Sequence, residues 1–151
     1  TDSVKKLLAD SGFPGMKVFE LGFDSRDTNG NGYQPHNFIR DCVAYTGTHD
    51  NDTLVGYFSG MQHWELGYIR EYMECRNGSI EDLVDKVFKT AYESVANLVI
   101  FQMQDVLKVG HIGRMNLPSS MGTNWRWRML NGQFSHDKIE RLRYLCDIYG
   151  R

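Results

Sequence analysis

A histidine, two aspartates and an asparagine occupy four consecutive positions in the segment YTGTHDNDT, residues 45–53. They are His49, Asp50, Asn51 and Asp52, and a short apolar run precedes them. The residue types alone leave three interpretations open. The cluster is a divalent-metal site, a solvated turn, or the end of a strand that presents a carboxylate and an imidazole to a polar pocket.

The metal interpretation is the weakest of the three. His49, Asp50 and Asp52 offer suitable ligand atoms, but no further clustered histidine or cysteine completes a coordination shell. His36 and His111 are available, although nothing in the sequence pairs them with the cluster. A solvated turn is an ordinary explanation, because Asp and Asn both favour turns.

The strand-end interpretation is favoured because it suits glycosyl transfer. An oxocarbenium-like transition state needs carboxylates near the anomeric carbon and gains from hydrogen bonds to the ring hydroxyls. An ionised aspartate beside an imidazole can hold those hydroxyls. The 8 Tyr, 8 Phe and 3 Trp supply flat apolar surfaces for sugar faces, although most of these rings are expected in the core. The turn interpretation stays open beside it.

Other chemical motifs are incomplete or absent. The segment DTNGNG, residues 27–32, fits the first half of a calcium loop, but the twelfth position is Phe38 instead of a glutamate. A glycine-asparagine turn explains it better. The sequence has no G-x-S-x-G, P-loop or G-x-G-x-x-G motif, and nothing marks Cys42 as an activated nucleophile. We therefore expect neither a metal nor a cofactor.

Composition indicates a globular domain and excludes some partners. Of the 151 residues, 41% are hydrophobic and 24% are charged, with a net charge of −2. That balance does not favour binding of nucleic acid or of an anionic membrane. Three cysteines without CxxC spacing indicate a reducing compartment, and a cytoplasmic location is expected. The longest apolar runs, such as LVIF, are far too short to span a bilayer.

The elements that position the polar cluster alternate between strands and helices. Strands are predicted over 17–23, Cys42–Tyr45 and 98–102. Helices are predicted over 54–76, over 80–96 and after Ser135. The last of these helices would have Ile139, Leu142, Leu145 and Ile148 facing inward. A first helix begins at Asp2 or Ser3 and ends at Gly12. Such alternation implies a parallel sheet, and polar loops that follow its strands are where chemistry occurs in α/β folds. About three βα units are present, whereas an eight-fold barrel takes ~250 residues.

Three stretches together resemble a known family. GFPGMKVFELGFD, YTGTHDNDT and QDVLKVGHIGRMNLPSSMGTNWRWRM are similar, in order and spacing, to the amylomaltase or disproportionating-enzyme family of 4-α-glucanotransferases, in the α-amylase clan. The likeness covers residues 13–129, and QPHN at 34–37 resembles the family's LPHN. It implies a (β/α)8 TIM barrel and retaining transfer of α-1,4-glucan segments between maltooligosaccharides. Residues 1–151 would form the last three βα units, with no second domain.

The resemblance also implies roles for particular residues. Asp50 corresponds to the transition-state stabiliser, and His49, Asn116 and Asn51 to sugar-binding positions. Residues in possible supporting roles are Asp52, Arg114, Pro118, Trp125 and Glu20, the last as a polar residue of the pocket and not as the catalytic acid. Leu117 and Ser119 depart from the Thr and Gly that the family often has there.

Two carboxylates that the family requires have no counterpart motif. The aspartate nucleophile and the glutamate acid/base lie on earlier strands of the family's barrel, and the glutamate belongs to an EDLG-like stretch that would precede Thr1. We therefore expect this chain to be an inactive part of the barrel. The alternative is a non-catalytic glucan-binding module that self-associates or binds the missing part of the barrel through unpaired strand edges. A plant member of the family would be plastidial.

Overall fold

Three short parallel strands form the sheet in the computed structural model, which describes residues 2–23 and 30–151. They are β1 (Gly15–Val18), β2 (Cys42–Tyr45) and β3 (Leu98–Ile100), in the spatial order β1-β2-β3. Met16 is paired with Val43, and Val43 with Leu98. The predicted parallel sheet is confirmed, and β2 has the predicted bounds.

Helices flank the sheet and fill the connections between its strands. They are α1 (Asp2–Ser11), α2 (Leu54–Gly60), α3 (His63–Tyr72), α4 (Ile80–Glu93), α5 (Met103–Val106) and α6 (His136–Tyr149). Short 3-10 helices cover Phe19–Phe23, Gly30–Tyr33, Pro35–Asn37 and His111–Gly113. The first helix ends as predicted, because Gly12 adopts a φ of +69°.

The predicted strand over 17–23 is wrong beyond Val18. Residues 19–23 turn into a 3-10 helix in which the Phe19 and Phe23 rings pack with centroids 4.8 Å apart. Gly22 permits this turn, because a Cβ there would lie only 2.7 Å from the backbone oxygen of Tyr33. The chain therefore bends at the carboxyl end of β1, and Glu20 moves below the loop that follows β2.

The single helix predicted over 54–76 is two helices. Met61 and Gln62 have extended backbone dihedrals, and Gln62 forms a capping box with Glu65 whose carboxylate accepts from the Gln62 N–H at 3.1 Å. The helix predicted over 80–96 ends at Glu93, where Ser94 is extended. Its start is fixed by a second capping box, in which Asp82 accepts from the Ser79 N–H at 2.8 Å.

The main core lies among the helices α2, α4 and α6, and a smaller cluster holds the strand residues Cys42 and Ala44 together with Phe38 and Ala96. Leu54, Phe58, Leu83 and Leu145 are buried in the main core, and the Phe88 ring contacts the ring that follows β3, Phe101, at 4.4 Å. The inward placement of α6 is only partly confirmed: Leu145 is buried and Leu142 half-buried, whereas Ile139 and Ile148 are exposed.

The opposite face of the sheet is apolar and exposed. Met16, Leu98 and Ile100 share this face, because alternate residues of a strand point to the same side and the register aligns them. Their exposed fractions are 56%, 51% and 41%. One side of the sheet is therefore packed against the cluster of Phe38, Cys42, Ala44 and Ala96, and the other leaves apolar side chains exposed.

Two further expectations concern the calcium-loop segment and membrane spans. The calcium-loop alternative involves residues 27–29, which lie outside the described residues. None of the helices in the described part of the chain is long and apolar enough to cross a membrane.

Candidate functional site

The loop that follows β2 is fixed at both ends by one buried carboxylate. Asp105, in α5, accepts from the Thr46 hydroxyl at 2.6 Å and from the Leu54 N–H at 2.7 Å. Asp105 is fully buried, and this burial raises its pKa to about 6. The first and last residues of the 46–54 segment are thus held by a single side chain that lies beyond the next strand.

Inside the loop, side-chain bonds close a tight turn. The Asn51 Oδ1 accepts from the backbone N–H of Thr48 at 2.9 Å and from its hydroxyl at 2.8 Å. The Asn51 N–H donates to the Thr48 carbonyl at 3.1 Å. The segment is therefore a hydrogen-bonded turn at a strand end, which combines two of the three sequence interpretations.

Asp50 lies at the tip of this turn and contacts the loop after β3. The Asn116 amide donates to Asp50 Oδ1 at 2.5 Å, and the Arg114 guanidinium donates to the Asp50 carbonyl at 2.6 Å. The backbone N–H of Asn116 donates to the His49 carbonyl at 3.0 Å. The fold thus brings together Asp50, His49, Asn116 and Arg114, which are 64 to 67 residues apart in sequence across the two loops.

An imidazole and an indole lie beside this carboxylate. His49 Nε2 is 3.4 Å from Asp50 Oδ1, and the His49 and Trp125 ring centroids are 5.0 Å apart. Trp125 adopts a φ of +65°, and its N–H donates to the Met115 carbonyl at 2.7 Å. Its side chain is 54% exposed and available to a ligand. Pro118 is also exposed. Within the described residues 2–23 and 30–151, it makes none of the polar contacts to Asp50.

Asp52 pairs with a different histidine from the one beside Asp50. Its Oδ2 lies 2.7 Å from Nδ1 of His111, and its Oδ1 accepts from the Thr53 N–H at 2.8 Å. Gln102 donates to the Asp52 carbonyl at 3.3 Å. Asp52 is therefore held by contacts within the protein. The histidine that pairs with it, His111, had no predicted partner in the sequence analysis. The described residues contain no group of three or more His, Cys, Asp or Glu side chains arranged to hold a metal.

Glu20 lies under the turn and is only 4% exposed. Its Oε2 accepts from the Asn51 amide at 3.1 Å, and its backbone carbonyl accepts from the Tyr57 hydroxyl at 2.9 Å. Burial, and after it the nearby Asp105 carboxylate, raise the Glu20 pKa to about 9. Glu20 is thus a neutral carboxylic acid at pH 7, consistent with a polar residue of the pocket.

A cleft of about 510 Å³ opens beside the turn. Its lining includes Glu20, Asp50, Asn51, Tyr57 and Arg114. A larger surface cleft, of about 870 Å³, lies between the end of α3 and α4, away from the strand ends, and is lined largely by charged side chains. The smaller cleft is the one at the carboxyl ends of the strands, where α/β folds place their sites. His49, Asn116 and Trp125 are not among its lining residues, although they lie beside Asp50.

Sequence reasoning missed two residues that build this site. Asp105 and Gln102 both follow β3, so the rule that directed attention to residues after β2 applies to them as well. The signal was present in the segment FQMQDV, where polar residues follow an apolar strand. It was overlooked because their partners, Thr46, Leu54 and Asp52, are about 50 to 60 residues away.

Comparisons with known proteins identify relatives over the whole length of the chain. The model of the 4-alpha-glucanotransferase family matches residues 1–133. The 4-alpha-glucanotransferase of Clostridium butyricum is 37% identical over 153 residues, covering 100% of this chain and 30% of that protein. The corresponding enzyme of Synechocystis sp. is 38% identical over 152 residues, covering 100% of this chain and 29% of that protein.

A solved structure matches over the same extent. The amylomaltase of Streptococcus agalactiae in complex with acarbose superposes with a TM-score of 0.90 at 35% sequence identity. The match covers 100% of this chain and 30% of that one. The chain thus spans about 30% of the length of these relatives. Since the family model covers most of its residues, the chain belongs to the 4-alpha-glucanotransferase family.

Proposed function

We propose that this chain is the C-terminal portion of a 4-α-glucanotransferase catalytic barrel and that Asp50 is its transition-state stabiliser. The observation that carries the proposal is the Asp50 carboxylate at the end of β2, oriented by Asn116 and bordered by His49. The relative from S. agalactiae is titled as a complex with acarbose, which supports an oligosaccharide ligand. The reaction is retaining transfer of α-1,4-glucan segments between maltooligosaccharides.

The geometry suits the stabilisation of a developing positive charge. Asn116 binds Oδ1 of Asp50, and none of the hydrogen bonds in the described residues uses Oδ2, which is left for a sugar hydroxyl. A fixed carboxylate close to an oxocarbenium-like carbon lowers the barrier without having to reorient during the reaction. His49 and Asn116 bind the same sugar, and the exposed Trp125 indole offers its face to an apolar sugar surface.

We assign Asn51 to the sugar-binding residues together with His49 and Asn116, and Asp52, Arg114 and Glu20 to supporting roles. Asn51 closes the turn, and Arg114 holds the Asp50 carbonyl. Asp52 is paired with His111, and Glu20 is buried. None of the four is therefore in a position to replace the missing nucleophile or acid/base, so we expect the chain by itself to be inactive.

The partial barrel is supported by the open sides of the sheet. In the described residues, β1 and β3 each pair on one side only, and Met16, Leu98 and Ile100 leave an apolar face exposed. In a closed barrel, the neighbouring strands would cover both edges and the interior side chains would fill this face.

Incubation of the chain with maltotriose tests the inactivity. We expect neither glucose nor longer maltooligosaccharides, because one stabilising carboxylate does not replace a nucleophile and an acid. Sustained turnover would show that the chain carries those groups after all. Calorimetry with maltoheptaose, on wild type and on Asp50→Asn, separates residual binding from catalysis.

Within a complete barrel, Asp50→Asn tests the role of the carboxylate directly. We expect kcat to fall at least ~10²-fold, the scale of losing one preorganised electrostatic contact. Asp147→Asn, at an exposed position of α6, is the matched control and should leave kcat unchanged. A near-normal kcat for Asp50→Asn would refute the stabiliser role.

The second candidate is a non-catalytic glucan-binding module that associates with another chain. The exposed apolar face of the sheet favours it, because patches of this kind are usually covered by a partner. Light scattering over a range of protein concentrations tests it. A stable monomer at all concentrations would argue against association, and binding of maltoheptaose without turnover would favour the module.

A further inference from the structure

The Glu20 side chain is connected to the turn that carries Asp50 through a short series of hydrogen bonds. Its Oε2 accepts from the Asn51 amide at 3.1 Å. The oxygen of that same amide accepts from the N–H and the hydroxyl of Thr48. The Thr48 hydroxyl in turn accepts from the Asp50 N–H at 3.3 Å. Glu20 therefore fixes one end of a network whose other end is the backbone of Asp50.

The second carboxyl oxygen of Glu20 is in an unusual position. Oε1 is buried and has no hydrogen-bond partner among the residues that the structure describes. It packs against Gly47, where a Cβ would lie 2.9 Å from Oε1 and 2.7 Å from the Gln102 amide nitrogen. A buried oxygen without a partner is far less costly as the hydroxyl of a neutral acid than as half of a carboxylate.

The charged groups around Glu20 also oppose its ionisation. Asp105 faces it from α5 and Asp52 from the loop after β2. Among residues 2–23 and 30–151, Arg114, from the loop after His111–Gly113, is the cation that acts on it. Burial contributes most to raising the Glu20 pKa, and the two aspartates add to it, while the Asn51 hydrogen bond and Arg114 oppose the change. Both the unpaired Oε1 and the surrounding charges thus favour the neutral form of Glu20.

We propose that Glu20 is a positioning residue that acts as a neutral carboxylic acid: it holds the Asn51 amide, and Asn51 in turn shapes the turn that presents Asp50. The proposal concerns the shape and protonation of this chain and stands whether or not the turn binds a glucan. With the proton on Oε1, the buried and unpaired oxygen carries no charge, and Oε2 remains the acceptor for the Asn51 amide.

Protonation has a thermodynamic consequence with a definite sign. In the unfolded chain Glu20 loses its proton near pH 4.5, whereas in the folded chain it keeps it up to a pKa of about 9. Between these values the folded state binds one more proton than the unfolded state, so stability falls as pH rises. The unfolding constant should rise by about tenfold per pH unit on account of this one group.

Three variants of the chain separate protonation from simple packing. Glu20→Gln keeps an oxygen that can accept from Asn51 and cannot ionise, and Glu20→Ala removes the acceptor. Glu93→Gln makes the same chemical change at an exposed position of α4 and serves as the control. Carbon-13 NMR of the glutamate carboxyls assigns Glu20 by the signal that Glu20→Gln loses. We expect this signal to titrate near pH 9 while the chain remains folded.

Amide exchange at Thr48 reports the shape of the turn. Its N–H is bound to Asn51, so in Glu20→Ala we expect exchange about tenfold faster than in wild type, the scale of losing one supporting hydrogen bond. Glu20→Gln should exchange within about twofold of wild type. A Glu20 titration near pH 4.5 in the folded chain, or exchange in Glu20→Gln as fast as in Glu20→Ala, would overturn the proposal.

If Glu20→Ala fails to fold, the comparison of wild type with Glu20→Gln decides. From pH 6 to 8.5 the wild-type unfolding constant should rise relative to that of Glu20→Gln by about tenfold per unit. Parallel pH dependences of the two proteins would overturn the proposal. None of these measurements uses a glucan, so the inference and the proposed function can fail separately.

Discussion

The turn at 46–53 is held by the chain's own side chains, whereas one face of the sheet beneath it is left exposed. Asp105 fixes both ends of the turn and Glu20 supports its middle. On the sheet, Met16 and Leu98 are both more than half exposed. The comparison teaches that the turn is held by hydrogen bonds among the described residues, whereas the exposed apolar face of the sheet is not covered by them.

The largest effect on stability is expected when the Asp105 carboxylate, which binds both ends of the loop, is removed. Asp105→Ala leaves the Thr46 hydroxyl and the Leu54 N–H buried without their partner. Each bond to a charged acceptor contributes about 1.5–3 kcal/mol, partly offset by the cost of burying the carboxylate, so we expect a loss of about 3 kcal/mol in the free energy of unfolding. Urea unfolding at pH 7.5 measures it, and exposed Asp147→Ala is the control.

The pH of that experiment matters because the Asp105 pKa is raised to about 6 in the folded chain, from an ordinary 3.8. Between these values the folded state binds the extra proton, so stability falls as pH rises through this window and the cost is complete above it. A loss below 1 kcal/mol at pH 7.5 would mean that the loop ends are held by other contacts.

A second test probes the close packing below the turn. Gly47→Ala places a Cβ within 3.0 Å of the Gln102 amide and of Glu20 Oε1, both of which are held in the buried network. We expect a loss of about 2 kcal/mol in the free energy of unfolding, the usual cost of forcing atoms into a packed site.

Gly67→Ala is the matched control for this substitution. Gly67 lies within α3, and a Cβ there would meet nothing within 4 Å. This change should stabilise the chain by up to about 1 kcal/mol, because alanine is the better helix former. Equal effects of the two substitutions in urea unfolding would show that the region under the turn is loosely packed.

The two regions also differ in how far the sequence predicted them. The polar residues after β2 and the bounds of β2 were accessible, because an apolar run that ends in Asp and Asn has few alternatives. The contacts of Asp105 and the pairing of Asp52 with His111 were not, since they join residues far apart in the chain. The break at Gln62 was missed because glutamine is an unusual first member of a capping box.

The burial of Glu20 also could not be predicted from the sequence. Its position on a predicted strand placed it correctly near the pocket, but the strand ends two residues earlier and turns into a 3-10 helix. That turn depends on the close approach of Gly22 to Tyr33, a contact between segments that no periodicity contains. Hydrophobic pattern predicts which residues are near a strand end, and tertiary packing decides which of them are buried.

The smallest effect on stability is expected on the exposed face of the sheet. Leu98→Lys changes a side chain of β3 that is already 51% exposed, so we expect the free energy of unfolding to change by no more than about 0.5 kcal/mol. Val99→Lys is the matched control on the adjacent residue, which faces the opposite side of the strand and packs against the cluster of Phe38, Cys42, Ala44 and Ala96.

For Val99→Lys we expect a loss of at least about 2 kcal/mol, because it places a charge against an apolar cluster. If the exposed face associates with another chain, Leu98→Lys should also lower the mass measured by light scattering at high concentration, with stability at low concentration unchanged. Equal losses for the two lysine variants would mean that both faces of the sheet are covered within the chain. The contrast between a self-contained turn and an open sheet would then fail.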